Sequence, residues 1–590
     1  MQKNCKPLVI VDLLRPQAAR RVLRIASAVG ISVLLPAASY AAEFYVAPTG
    51  SDSAAGTLAA PFATLAKANS AAAAGDTIWV RGGTYFITTQ LVLSKSGTSD
   101  SKRTKIWAYP GEIPVLDASK YVTSNRGADV PVVRVSGDWM HLRGLEIANA
   151  KVGASGDHSY SLLRADNSSN NIYELLNLHH GFGPGLFIDT GTGGNLILNC
   201  DSHDNYDQNA SQGDGQNGDG FGVHYQTTGP STVISGCRAW MNSDDGYDFI
   251  SQEVSVTIEG SFAIQNGRGS GGNGNGFKIG SSATGVRHIV QNDVAWNNRS
   301  AGFYANHSSG GNTWLNNTSY NNATQYNMLA SPPNDSSATI TLTGTLAHIM
   351  RNNVGFPNKN SNMGGVDSKF NTWDLNIAQA STDFESTTDT GCTGPRDADG
   401  SIPAACTFLK LKAGSPLIDK GTDVGLPFVG SAPDLGAYEY GATTSTGDGG
   451  ITVTDGGKPS SGTGGSTVTN DGGGSPGGGG RGGAGGSSGT GGSSGAAGSS
   501  GSNGDTGGAS AAGGAGGTPS GGSGGSVATG GSAGTMSGTR GSIAGDGASS
   551  PGCACSMGSR RSADRLLWTI LAAAGSLALR RGRKHRSTGR

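Results

Sequence analysis

The sequence lacks a long helical period, an excess of charge of either sign, and enough cysteine for a disulfide scaffold. Forty-two basic residues face 43 acidic ones, for a net charge of −1. Nothing global therefore argues for nucleic acid, and any charge-based function has to be local. Seven cysteines in 590 residues suit an oxidising compartment but cannot staple a domain of this size. Cys392 and Cys406 bracket a polar loop and are a candidate disulfide. Cys200 and Cys237 hold equivalent places in a repeat and are expected to be small buried residues. The apolar runs Ile25 to Leu35 and Leu566 to Leu579 are both short of the ~20 residues a membrane span needs.

Glycine is what the chain has in abundance, with 100 residues unevenly placed. From about 443 to 550 the sequence is almost wholly Gly, Ser, Ala and Thr. Such a segment cannot bury enough apolar surface to offset its ordering entropy, so 442–550 is expected to be a disordered linker. Its root-mean-square reach would be roughly 55–60 Å. Residues 1–42 have the pattern of an export signal: Arg20, Arg21 and Arg24, then the apolar run, then Ser39-Tyr40-Ala41. Between them, 43–441 is long enough for one large domain with its own core. Beyond the linker, 551–590 holds Cys553 and Cys555, a short apolar run and a basic end.

The domain is a repeat of short strands. After a strand at Phe44, a short helix near Pro61 and a strand from Asp76 to Tyr85, apolar segments recur. They fall at Ile172-Tyr173, Leu196–Leu198, Val233-Ile234, Val256–Ile258, Ile289-Val290, Trp314-Leu315 and Ile349-Met350. Those from Leu196 to Trp314 lead to Asn205, Asn242, Asn266, Asn298 and Asn322, spaced 37, 24, 32 and 24 residues apart. Gly181 holds the same place one coil earlier. A base period of about two dozen residues without helices defines an all-β solenoid, a parallel β-helix. Asparagines at one corner of every coil would stack at the ~4.8 Å strand spacing and bond up and down a ladder. Asn also tolerates the left-handed backbone of a sharp corner.

Three consecutive coils carry one phrase with variations: Asn217-Gly-Asp-Gly-Phe-Gly-Val, Asn242-Ser-Asp-Asp-Gly-Tyr-Asp-Phe, and Asn275-Gly-Phe-Lys-Ile-Gly. Between the inward aromatic and aliphatic positions, strand alternation turns Gly222, Asp248 and Lys278 outward. Asp248 and Lys278 then lie on the order of 5 Å apart on adjacent coils. Asp219 and Asp245 form a second matched pair, with Asp244 adjoining. Parity would turn that pair inward, but the glycine after each allows a corner that swings the carboxylate out. Four carboxylates so close repel unless a cation is bound, and hard oxygen ligands without thiolate or imidazole favour Ca²⁺.

These motifs resemble those of family 9 polysaccharide lyases, calcium-dependent pectate lyases on a right-handed parallel β-helix. The resemblance covers about 170–330 well, and the sequence departs from the family pattern around His224, which bears on substrate preference. It implies that Asp219, Asp244, Asp245 and Asp248 bind Ca²⁺ and that Lys278 is the Brønsted base. The implied reaction is β-elimination in pectate (polygalacturonate), with Lys278 removing a C5 proton acidified by the metal. Asp248 would raise the pKa of Lys278, whereas Ca²⁺ and burial would lower it. Calcium-dependent, alkaline-favoured activity is expected.

Weaker candidates stand beside this set. His203 and Asp204 form an acid–base pair on paper; Asp201, Asp204, Asp207 and Asp214 are candidates for a second Ca²⁺. Arg238, Arg268 and Arg299 are candidates for uronate contacts, and Trp240 and Trp296 are expected to pack. An exo-acting lyase or an epimerase on another uronate polymer begins with the same proton removal. A glycan-binding adhesin without turnover is the alternative of a different class. The tail resembles myxobacterial surface-sorting signals; with the export leader, the expected protein is secreted or surface-tethered, and it is expected to be a monomer with an acidic polysaccharide as its partner.

Overall fold

A computed structural model of the chain describes residues 41–442 apart from 282 and 334. The leader, linker and tail expected above lie outside the described residues but for 41, 42 and 442.

Each complete coil contributes one short strand to each of three parallel sheets, which have nine, twelve and ten strands because the end coils are incomplete. One full turn runs through Leu186–Asp189, Leu196–Leu198 and Asp201–His203, then returns to the nine-stranded sheet at Phe221–His224. All the apolar segments named from sequence, Ile172 to Met350, are strands of the twelve-stranded sheet. The first coil is covered by a single helix, Leu65–Ala71, whose first turn is capped by the Thr64 hydroxyl accepting from the Lys67 amide at 3.1 Å.

Strand alternation sets the core. In the nine-stranded sheet Phe221, Tyr247, Phe277, Phe303 and Tyr326 point inward and are fully buried. Their rings stack coil on coil at 5.2, 4.7, 4.9 and 5.1 Å. Offset-stacked rings of this kind add to the apolar area each coil buries. The stack lies directly behind the outward column Gly222, Asp248, Lys278, Tyr304 and fixes its register.

The asparagine ladder forms as expected. Each side-chain amide from Asn205 to Asn298 donates to the next asparagine's Oδ1 at 3.0–3.1 Å. The Gly181 amide donates to the Asn205 Oδ1 at 2.9 Å at one end. One detail differs: the left-handed backbone falls one residue earlier, at His180, Asp204, Met241, Gln265, Asn297 and Asn321. The ladder asparagine turns its side chain into the corner, and its neighbour makes the turn.

A second ladder, which the sequence reading reduced to two cysteines, runs along the corner between the twelve- and ten-stranded sheets. Cys200, Cys237, Ser261, Asp293, Asn317, Asn353 and Asn371 succeed one another there, the backbone amide of each donating to the side chain of the next. Cys200 and Cys237 are buried free thiols, as expected.

The residues after 370 fold back over the ten-stranded sheet. Phe384, Phe408, Leu417, Leu435 and Tyr438 pack on Phe262, Val294, Trp296 and Val354. Cys392 and Cys406 are disulfide-bonded. Beside them Arg238 and Arg396 clamp Asp201, and Arg238 also donates to the Cys392 carbonyl oxygen at 2.8 Å.

Candidate active site

The corner that carries the asparagine ladder opens into the nine-stranded sheet, and the residue before each strand's glycine stands in a third ladder. The Asp245 amide donates to Asp219 Oδ1 at 3.0 Å, the Asn275 amide to Asp245 Oδ1 at 2.6 Å, and the Ala301 amide to Asn275 Oδ1 at 3.2 Å. One oxygen of each aspartate is thus used along the axis, leaving the other for the site. The carboxylates neither point into the aromatic core nor stand open to solvent. Asp219, Asp244, Asp245 and Asp248 are all buried, the least so Asp219 at 6% exposure. The expected outward swing therefore ends in a sunken cluster.

Two loops cover this corner, 206–218 and 267–275. They meet at Gly215 and Gly269, where a Cβ on either would lie 2.5–2.6 Å from the other's Cα. The Asn273 amide donates to Asp244 Oδ1, tying the second loop to the cluster.

Asp219, Asp244 and Asp245 each place a carboxylate oxygen within 4.8 Å of the others. Lys278 lies beside them. Its Nζ is 3.0 Å from Asp245 Oδ2, outside hydrogen-bond geometry, and donates to Asp248 Oδ2 at 3.1 Å. Asp245 Oδ2 and Asp248 Oδ1 are buried without a hydrogen-bond partner. Four acids against one lysine, with two oxygens lacking a hydrogen bond, is a donor set short of positive charge. It fits a hard divalent cation of the Ca²⁺ type.

The electrostatics say the same. Burial and mutual repulsion push Asp219 and Asp244 well above the ordinary carboxylate range. Burial raises Asp245 and Asp248 as well, although Lys278 opposes it. Burial would lower the Lys278 amine, but Asp245, Asp248, Asp244 and Asp219 together outweigh it and hold the amine well above its usual value. A bound cation would oppose both burial and repulsion and favour the charged carboxylates.

His224 had no role beyond departing from pattern. Its Nε2 is buried, unpartnered and 3.8 Å from Asp248 Oδ2. Burial, then the Lys278 charge, lowers its pKa to about 3, so the ring is neutral. The signal was its place two residues beyond Gly222, on the same outward face as Asp248 one coil on.

The other candidates are dispersed. Asp201 is held by Arg238 and Arg396; Asp204 pairs with His203 at 2.9 Å and Arg268 at 2.6 Å. Asp207 accepts from Ser243 and the Asn217 amide, and Asp214 from Tyr206 and Ser270. No second acidic cluster of metal-binding geometry joins them among the described residues. Arg238 is buried, 1% exposed, and so is no surface contact for a uronate. Arg268 is engaged with Asp204, and Arg299 donates to the Gly269 carbonyl oxygen. Trp240 stacks on His203 at 4.0 Å and Trp296 lies in the C-terminal core, both packing as expected.

The model of the family described as Pel9A-like, right handed beta helix region, matches residues 44–353. Pectate lyase L of Dickeya dadantii is 34% identical over 413 residues, 67% of this chain and 90% of that one. Among solved structures, the crystal structure of pectate lyase Pel9A aligns with a TM-score of 0.57 at 32% identity, covering 68% of this chain and 97% of its own. A rhamnogalacturonan lyase aligns at 0.56 and 30%, covering 63% and 96%. The chain belongs to the Pel9A-like family, the family 9 polysaccharide lyases, and is a polysaccharide lyase.

Proposed function

We propose that this chain cleaves polygalacturonate by calcium-dependent β-elimination. The observation that carries the reading is the buried triad Asp219, Asp244 and Asp245 with Lys278 3.0 Å from Asp245. These three aspartates would hold the ion, with Asp248 adjoining. When bound, Ca²⁺ supplies the positive charge that draws electron density from the substrate's carboxylate and so acidifies the neighbouring C5 hydrogen. Lys278 Nζ accepts the C5 proton. The electron pair released forms the C4–C5 double bond and expels the glycosidic oxygen on C4, which takes a proton from solvent.

A lysine base must be neutral. Aspartates whose charge is matched no longer hold the amine protonated, and burial then favours the neutral form. Asp248, donating nothing and accepting from Nζ, keeps the amine aimed from the neighbouring strand. Asn275, bonded to Asp245 through both its backbone and side-chain nitrogens at 2.6 and 2.9 Å, fixes the carboxylate against which the amine sits.

A rhamnogalacturonan backbone is the second reading of substrate, favoured by a likeness to that lyase nearly equal to the likeness to Pel9A. Export by the leader and display on the glycine-rich tether complete the proposal. Its test is absorbance of the unsaturated uronate with polygalacturonate, methylated pectin, alginate and rhamnogalacturonan, in calcium or chelator. Product from polygalacturonate that vanishes in chelator and returns with added calcium is expected. Undiminished turnover in chelator, or binding with no unsaturated product from any polymer, would overturn it.

A further inference from the structure

The outward column of the nine-stranded sheet continues past the acid cluster. In register it reads Arg164, Phe187, Gly222, Asp248, Lys278, Tyr304. Phe187 faces away from the core, between inward Leu186 and Ile188, and is partly exposed. A large aromatic ring on the outer face of a sheet calls for a reason, because it gives up burial its inward neighbours obtain.

Three contacts show that the ring is seated rather than loose. It lies across Gly222: a Cβ there would be 2.6 Å from Phe187 Cδ2 and 3.1 Å from Cε2. Glycine is thus required on the next strand to leave the ring its place. The neutral imidazole of His224 meets it edge to face, centroids 4.7 Å apart at 89°. The Arg164 guanidinium lies 5.7 Å from its centroid on the other side and is itself held by Asp189 and Asp129. The ring is therefore pre-positioned, filling the space over Gly222 next to Asp248 in the column.

Phe187 stands three strand spacings from Lys278, ~14 Å along the axis. That is too far to touch the sugar that loses its proton, yet on the line a chain parallel to the axis would follow. Pyranose rings present an apolar C–H face, and a fixed aromatic ring binds such a face at little cost in side-chain entropy.

We propose that Phe187, seated over Gly222 and braced by His224 and Arg164, is the floor of a distal sugar subsite. It packs against the apolar face of a pyranose several residues from the scissile bond and so favours long chains over short ones. The inference rests on the lyase reading for its direction along the column.

The test is Phe187→Ala and Phe187→Trp, with kcat and KM measured separately on polygalacturonate and on galacturonate oligomers of graded length. The expected result for the alanine variant is a KM raised about tenfold on polymer and long oligomers, with kcat unchanged and the shortest cleavable oligomer unaffected. Tryptophan is expected to restore the long-chain KM. A uniform loss at all lengths would overturn the subsite in favour of a structural role, as would no loss on polymer. If the alanine variant does not fold, Phe187→Leu, which keeps apolar bulk without the ring, is held to the same outcomes. Calorimetric binding of a long galacturonate oligomer to wild type and variant separates this inference from the lyase reading. Should wild type bind without turnover, weaker binding by the variant still supports the subsite, and equal binding overturns it.

Discussion

Asp245 and Asp293 are both fully buried, and both serve as rungs of a corner ladder. Asp245 Oδ1 accepts from the Asn275 amide at 2.6 Å; Asp293 Oδ1 accepts from the Ser261 amide at 2.8 Å. Each also has an Oδ2 without a hydrogen-bond partner. Their surroundings differ. Asp293 has Ser261 and Asn317 as its ladder neighbours, with no lysine or acid cluster beside it among the described residues; burial pushes its pKa well above the usual range, and it stands where an asparagine would. Asp245 has Asp219, Asp244 and Asp248 around it and Lys278 on its free oxygen. A solitary buried carboxyl answers desolvation by keeping its proton. Four of them facing one lysine form a site for positive charge.

Asparagine at each position tests that contrast, and the largest effect is expected at the site. Asp245→Asn removes the charge of a proposed ligand and is expected to weaken calcium binding by about a hundredfold or more, judged by the calcium dependence of the lyase rate. Asp293→Asn is expected to leave that dependence unchanged. Equal losses would mean that the two corners do not differ in function.

The next effect is on pH. As the proposed base, Lys278 would act as a neutral amine, so the rate is expected to rise with pH through its pKa. The aspartates hold that pKa up until their charge is matched. Raising calcium is therefore expected to move the rising limb to lower pH in rate profiles at low and saturating calcium. A limb that stays in place would detach Lys278 from the acid cluster.

On stability, Asn266 makes five ladder hydrogen bonds, to Asn242, Ala239 and Asn298 at 3.0–3.2 Å, and Asn266→Ala would remove the four made by its side chain. The fifth is donated by the backbone amide, which the variant keeps. The expected loss is about 3 kcal/mol in denaturant unfolding.

The smallest effect is expected at Asp293, and its sign is opposite. Its folded pKa lies above the unfolded value, so what it contributes is fully present below the unfolded pKa and is lost as pH rises through the folded one. Asparagine carries no such loss. Asp293→Asn is expected to raise the melting temperature by about 2 °C, with a gain that grows toward alkaline pH. A lower melting temperature at every pH would show the acid to be the better rung.

The repeat made the fold legible. Strand, asparagine, glycine and aromatic recur at matched places, so Asp248 beside Lys278 and the Asn205–Asn322 ladder followed from counting. The aspartate cluster was legible as composition but not as depth. Loops 206–218 and 267–275 bury it, and their meeting at Gly215 and Gly269 is a contact between coils that no local pattern encodes. Asp293 escaped notice because it replaces a neutral rung without changing the strand pattern. Asp201 and Arg238 were misplaced for a similar reason. The segment carrying Arg396 returns from nearly two hundred residues away to cover them.

The reaction assigned to this corner is tested most directly by Lys278→Ala, saturated with calcium and incubated with polygalacturonate, with unsaturated uronate followed by absorbance. The rate is expected to fall by about a thousandfold or more, while calorimetric calcium binding and the melting temperature show a folded, loaded protein. Turnover within about tenfold of wild type in that loaded protein would contradict the assignment of Lys278 as the base.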